Sequence, residues 1–341
     1  MRRRPFLGII VLSLALACSP SPPPQEESLE PGAGTVVRMS EALDAIVPEG
    51  ARIEKLAGGL RFTEGPVWVV EGGPSLLFSD IPANNIYRWS EGDVEASVFY
   101  EGMYRGEPRQ ASLGSNGLIL DAQGHLIACE HGNRRVSRLV DGEWETLVDN
   151  FEGKRLNSPN DAAWHPNGWL YFTDPPYGLP QQEDDPLREL DFNGIYRLNY
   201  DSRELQLLVR DQTRPNGIGF SPDGKTAYVA NSDASNKVWM SYEVNSEGAF
   251  ENGRVFYDAG EETDPGMPDG LKLDTDGNIY ATGPGGVWIF APDGTHLGTI
   301  RPAEVPANVA WGNDGSSLYM TARTGLYRIK LLSKGPMTAT M

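Results

Sequence analysis

The sequence predicts an all-β chain folded as a six-bladed β-propeller with a central metal site. Three observations carry this. A strand-turn-strand phrase recurs six times, each copy opens on an oxygen-bearing side chain, and nothing inside the repeats has the apolar period of a helix. The copies start at Glu64-Gly-Pro-Val-Trp, Asn116-Gly-Leu-Ile-Leu-Asp, Asn160-Asp-Ala-Ala-Trp, Asn216-Gly-Ile-Gly-Phe, Asp269-Gly-Leu-Lys-Leu-Asp and Asn308-Val-Ala-Trp.

Each phrase runs into a Gly-containing turn, as at Asp121-Ala-Gln-Gly124, Pro222-Asp-Gly224 and Asn313-Asp-Gly315. A second strand of aromatic and β-branched residues follows, as in Leu170-Tyr-Phe172 and Ile279-Tyr-Ala281, then a third, as in Asn85-Ile-Tyr-Arg88 and Gly325-Leu-Tyr-Arg328. Start-to-start spacings of 52, 44, 56, 53 and 39 residues suit four-stranded blades with loops of varied length. Ring closure needs a strand from the N-terminal side, and Arg52-Ile-Glu-Lys-Leu can supply the outer strand of the last blade.

Ahead of the repeats, three arginines precede the apolar run from Phe6 to Leu16, which is too short to span a bilayer. With Ala17 before Cys18, residues 1–17 read as an export signal similar to those of bacterial lipoproteins, with Cys18 lipidated. Ordinary cleavage near Ala17 is the alternative, because Ala15 stands where that pattern usually places Leu. Residues 18–38, rich in Ser and Pro at their start, read as a flexible tether, leaving 39–335 as the catalytic propeller. The expected location is periplasmic or outer-membrane-anchored, with membrane contact only through that lipid.

The formal net charge of −18 argues against nucleic acid, whose phosphates demand a basic face. With Cys18 lipidated, Cys129 has no disulfide partner and reads as a buried strand residue.

In a propeller the innermost strands line a tunnel, so the residues that begin them meet around one mouth. Here these are Glu64, Asn116, Asn160, Asn216, Asp269 and Asn308. A ring of amide and carboxylate oxygens without His or Cys suits a hard cation. Ca²⁺ is preferred over Mg²⁺, which demands a tighter octahedral shell; other divalent ions remain open. The competing explanation is that Asn and Asp recur there as turn formers beside Gly, but Glu64 is no turn former and holds the same register. Strict strand alternation would point Asp161 away from Asn160, unless a twist or bulge intervenes.

With these residues placed, the chain resembles the gluconolactonase family, also called the senescence marker protein or regucalcin family, over roughly residues 51–331. The resemblance implies a metal held by Glu64, Asn160, Asn216 and Asp269, with Asn116 in the substrate pocket. It also makes Asp161 a candidate general acid or base. The implied activity is calcium-dependent hydrolysis of a small lactone, a sugar lactone opening to an aldonic acid. The ion would polarise the carbonyl, with Asp161 the first choice of proton acceptor and Asp269 the second. His131, Asn116 and Asn308 are candidate substrate contacts, and the 101–115 loop is a candidate lid.

Other signals are set aside. Gly219-Phe-Ser-Pro-Asp-Gly-Lys-Thr226 matches a phosphate-loop expression, but a β-strand follows where a helix is required. Asp274-Thr-Asp-Gly-Asn278 looks like a calcium loop yet lacks its closing Glu. No nucleophile elbow or helical His pair supports a serine or zinc hydrolase. Two rivals stay open: phosphotriesterase or arylesterase activity at the same site, and a non-catalytic binding propeller.

Overall fold

Residues 33–107 and 111–336 are described by the structure, a computed structural model. The export signal, Cys18 and the first part of the tether lie outside them. The six repeats form six antiparallel sheets, each running from an inner to an outer strand. The inner strands are Thr63–Val69, Ser115–Leu120, Ala162–Trp164, Pro215–Phe220, Leu271–Leu273 and Pro306–Gly312. We number the blades 1 to 6 in that order. The ring closes where Ile53–Ala57 pairs antiparallel with Gly325–Lys330, the strand the sequence assigned to the last blade.

One boundary differs from expectation. Gly34–Arg38, within the segment read as tether, is a fifth strand on the outer edge of blade 5, paired with His296–Pro302. Its Thr35-Val36-Val37 run is β-branched and fits an extended ladder, whatever the composition just before it. The chain then makes a 3₁₀ turn, Glu41–Ala45, capped by Ser40, and buries Leu43 against blades 5 and 6.

The apolar core is divided into six layers, one per blade interface. Val67 and Leu77 meet Leu118 and Ala128 between blades 1 and 2, and Ile127 and Cys129 meet Phe172 and Tyr196 between blades 2 and 3. Similar layers join blades 3 and 4, 4 and 5, 5 and 6, and 6 and 1. Cys129 is fully buried, as its strand position predicts. Each sheet thus buries both faces against its neighbours and leaves the upper ends of its inner strand for the tunnel. The phosphate-loop look-alike is a hairpin turn: Gly224 sits at φ +69°, and the strand Thr226–Asp233 follows.

Candidate functional site at the tunnel mouth

The inner strands do not begin as regular ladders. Pairing registers shift between Glu64 and Val67, Ser115 and Leu118, Pro215 and Ile218, and Pro306 and Asn308. Asn160 and Asp269 precede the regular strands Ala162–Trp164 and Leu271–Leu273. A bulge re-aims a side chain that strict alternation would send into the blade. Four of these residues are followed by glycine for a steric reason. A Cβ on Gly65 would lie 1.9 Å from the Asn116 carbonyl oxygen, and one on Gly217 would lie 2.4 Å from that of Asp269. Gly117 abuts the Asn160 carbonyl in the same way, and a Cβ on Gly270 would run into the Asn308 side-chain amide. Backbones this close force the six positions into one ring.

Braces across the blades hold it. Gly117 N–H donates to the Asn160 carbonyl at 2.7 Å, Thr173 Oγ1 to the Asn216 carbonyl at 2.8 Å, and Ser79 Oγ to the Asn116 carbonyl at 2.8 Å.

Glu64, Asn116, His131, Asn160, Asn216 and Asp269 line one cavity of about 340 Å³, together with Phe62, Ile81, Ser112, Tyr177 and Ser232. A larger hollow of about 500 Å³ lies by the outer strands of blades 2 and 3, away from every ring residue. Asp161 and Asn308 do not line the cavity. Asn308 Nδ2 donates to Glu64 Oε2 at 3.0 Å and to Asp161 Oδ2 at 3.4 Å. Blades 3 and 6 are opposite, so the second contact crosses the tunnel axis and closes the cavity floor. Asp161 Oδ1 accepts from the Ala162 N–H at 2.9 Å, and Lys272 Nζ stands 3.5 Å from its Oδ2.

Three oxygens on cavity-lining residues are left without a hydrogen-bond partner among the described residues. Asn116 Oδ1, Asn216 Oδ1 and Asp269 Oδ1 are buried and have no hydrogen-bond donor among the described residues. All three are acceptors on residues lining the same cavity, an expensive arrangement unless water, a bound ligand or a cation satisfies them. Asp269 keeps partial exposure as a residue, but this oxygen is buried. Burial raises the Asp269 carboxyl well above the usual carboxylate range, and the Glu64 and Asp161 charges raise it further. Burial raises Glu64 as well, against a hydrogen bond from the Gly65 N–H. Two buried carboxylates that resist ionisation, beside unpartnered amide oxygens, fit a hard divalent cation held by Glu64, Asn160, Asn216 and Asp269. No three or more His, Cys, Asp or Glu side chains among the described residues are placed to hold a metal by themselves, because most of these oxygens belong to amides.

His131 is buried, and burial pushes its pKa down to about 4, so the ring is neutral near pH 7. Asn116 Nδ2 lies 3.3 Å from its Nε2. A neutral imidazole accepting there fixes the amide orientation and leaves Asn116 Oδ1 as the unpartnered atom.

Tyr177 also lines the cavity, at a place no repeat position marks. It follows the blade 3 strand Trp169–Asp174, and its hydroxyl makes a long 3.4 Å bond to the Ser232 carbonyl. Burial keeps that hydroxyl protonated, and the nearby Asp269 charge adds to the effect. Of the 101–115 loop offered as a candidate lid, the described start around Met103 and Tyr104 is held by side-chain hydrogen bonds. Asn84 brackets the Tyr104 backbone with two 2.8 Å bonds, and Asn133 Nδ2 holds the Met103 carbonyl at 2.9 Å.

The fold and this mouth define a class: propellers that gather acceptor oxygens from the inner strands of successive blades, here five of the six, over one cavity. Residues 62–324 match the SMP-30/Gluconolactonase/LRE-like region. A gluconolactonase from Zymomonas mobilis subsp. mobilis is 37% identical, with 89% of this chain and 87% of that protein covered. A pentonolactonase from Haloferax volcanii is 28% identical over 78% of this chain and 82% of its own. The solved gluconolactonase of Xanthomonas campestris superposes with a TM-score of 0.76 at 31% identity, covering 88% of this chain and 96% of that one. The chain belongs to the SMP-30/gluconolactonase/LRE-like family and is a hydrolase.

Proposed function

We propose that this hydrolase opens a sugar lactone, using Ca²⁺ held by Glu64, Asn160, Asn216 and Asp269. The observation that carries the reading is the set of three unpartnered buried oxygens facing one cavity of about 340 Å³. The curated relatives that act on gluconolactone and pentonolactone support the lactone class. When bound, the ion supplies a Lewis acid for the lactone carbonyl and eases deprotonation of nearby water.

The chain's own groups do the rest. Asp269 is the carboxylate on the cavity wall, whereas Asp161 is turned toward Lys272 and Asn308 beneath it. We therefore make Asp269 the proton acceptor for the attacking water, with Asp161 acting through its charge. Phe62 and Ile81 offer an apolar wall, and Tyr177, Ser112 and His131 offer polar groups for the substrate hydroxyls.

The test is turnover of gluconolactone, an aliphatic lactone, an aryl ester and an organophosphate by protein stripped of metal and then given CaCl₂. Activity restored by Ca²⁺ and highest on the sugar lactone is expected. Full activity after chelation, or a clear preference for the organophosphate, defeats the reading. Lipid anchoring at Cys18 belongs to the same proposal, and labelled palmitate that still enters a Cys18→Ser variant would remove it.

A further inference from the structure

Three carboxylates, two of them on the cavity wall, share the tunnel mouth. Glu64 Oε2 and Asp161 Oδ2 both lie within hydrogen-bond reach of the single nitrogen Asn308 Nδ2, at 3.0 and 3.4 Å. Asp269 is close enough for both charges to bear on it. All three are deeply placed, and a buried charge without a counter-charge is costly. Among the described residues the ion pair at this cluster is Lys272 with Asp161, Nζ to Oδ2 at 3.5 Å. The same Nζ donates to the Leu271 carbonyl at 3.0 Å, which fixes its height in the tunnel.

Lys272 breaks the repeat. It stands three residues after Asp269, and the equivalent residues after the other ring positions are Val67, Ile119, Ala163, Gly219 and Trp311. Five blades place an apolar residue or glycine there. Blade 5 alone sends an ammonium past blade 4 to a carboxylate of blade 3. The charge count then closes. Glu64, Asp161 and Asp269 bring three negative charges, Lys272 returns one, and a single divalent cation balances the remainder.

We propose that Lys272 is a built-in counter-cation that sets the tunnel mouth to take one divalent ion and limits how tightly it is held. This rests on the cation reading above. Lys272 is a positioning residue: it does not line the cavity, it pairs with Asp161, and its charge also bears on Glu64.

The experiment is calorimetric titration of metal-stripped protein with CaCl₂ alone, comparing the wild type with Lys272→Met, Asp161→Asn and the double variant. Fold is checked by the melting transition in saturating CaCl₂. One ion per wild-type chain is expected. Lys272→Met should bind it about tenfold more tightly, Asp161→Asn about tenfold more weakly, and the double variant within about threefold of wild type, because two opposite charges are then removed together. A purely structural contact predicts weaker binding in all three variants. Lys272→Met binding with unchanged or reduced affinity overturns the inference. Should that variant fail to fold, unchanged affinity in Asp161→Asn overturns it equally. A wild-type chain that binds no Ca²⁺ overturns the metal reading and this inference with it.

Discussion

Asp269 and Asp274 lie five residues apart at the two ends of one inner strand, and they are opposites. Asp274 Oδ1 accepts from the Asp276 and Asn278 N–H groups at 3.0 and 2.8 Å. Its Oδ2 accepts from Asn278 Nδ2 at 2.8 Å and from the Tyr280 hydroxyl at 3.1 Å. Asp269 Oδ1 is buried with no donor among the described residues. One carboxylate has donors on both oxygens and builds a turn; the other keeps its Oδ1 without a donor. Residue type cannot tell them apart, whereas the count of donors on each oxygen can.

The sharpest way to break this contrast is to exchange the carboxylates for inert groups. Asp269→Asn should lower lactone turnover by about a thousandfold or more and weaken Ca²⁺ binding, with the melting temperature of the metal-free protein unchanged or raised. Asp274→Ala should do the reverse, costing about 2–3 kcal/mol of stability in denaturant melts while kcat/KM at saturating CaCl₂ stays within about twofold. Equal losses of turnover in both variants would erase the distinction.

Proton linkage gives a second measure. The folded carboxyls of Glu64 and Asp269 sit above their usual range, so they must shed protons to hold a cation. Ca²⁺ affinity should fall as the pH is lowered, by up to about tenfold per unit for each proton displaced. In the metal-free protein these raised groups favour the fold at low pH, and that contribution is lost as the pH rises through their folded values. The gain in melting temperature on adding CaCl₂ should therefore be larger at pH 8 than at pH 5. A pH-independent gain would place the ion on other groups.

The smallest effect is expected at the cavity wall. Tyr177→Phe should raise KM for a sugar lactone about tenfold with little change in kcat, and leave KM for an aliphatic lactone unchanged. A parallel loss on both substrates would make the ring, not the hydroxyl, the part that matters.

Much of this was legible in the sequence because the repeat is a ruler. Glu64, Asn116, Asn160, Asn216, Asp269 and Asn308 share one register, and four are marked by the glycine that close-packed inner strands demand. The ruler could not report contacts between blades. Lys272 was visible in the Asp269-Gly-Leu-Lys-Leu phrase, but its partner is two blades away. Asp161 and Asn308 meet across the tunnel, a pairing with no local signature. Tyr177 sits in a loop after the second strand of blade 3, where no repeat position predicts which way a ring turns. The edge strand Gly34–Arg38 was hidden by the company it keeps, five residues with strand chemistry following a stretch of Ser and Pro.

That edge strand has a mechanical consequence. Tension arriving along the chain ahead of Gly34 is taken up at once by the ladder on blade 5 and by the Ala33 N–H bond to the Ile53 carbonyl at 2.7 Å, before any of it follows the chain through the Leu43 turn to the rest of Ile53–Ala57, the strand whose loss would open the ring. The propeller carries its own strain relief, as a cable does when it is clamped just before the plug.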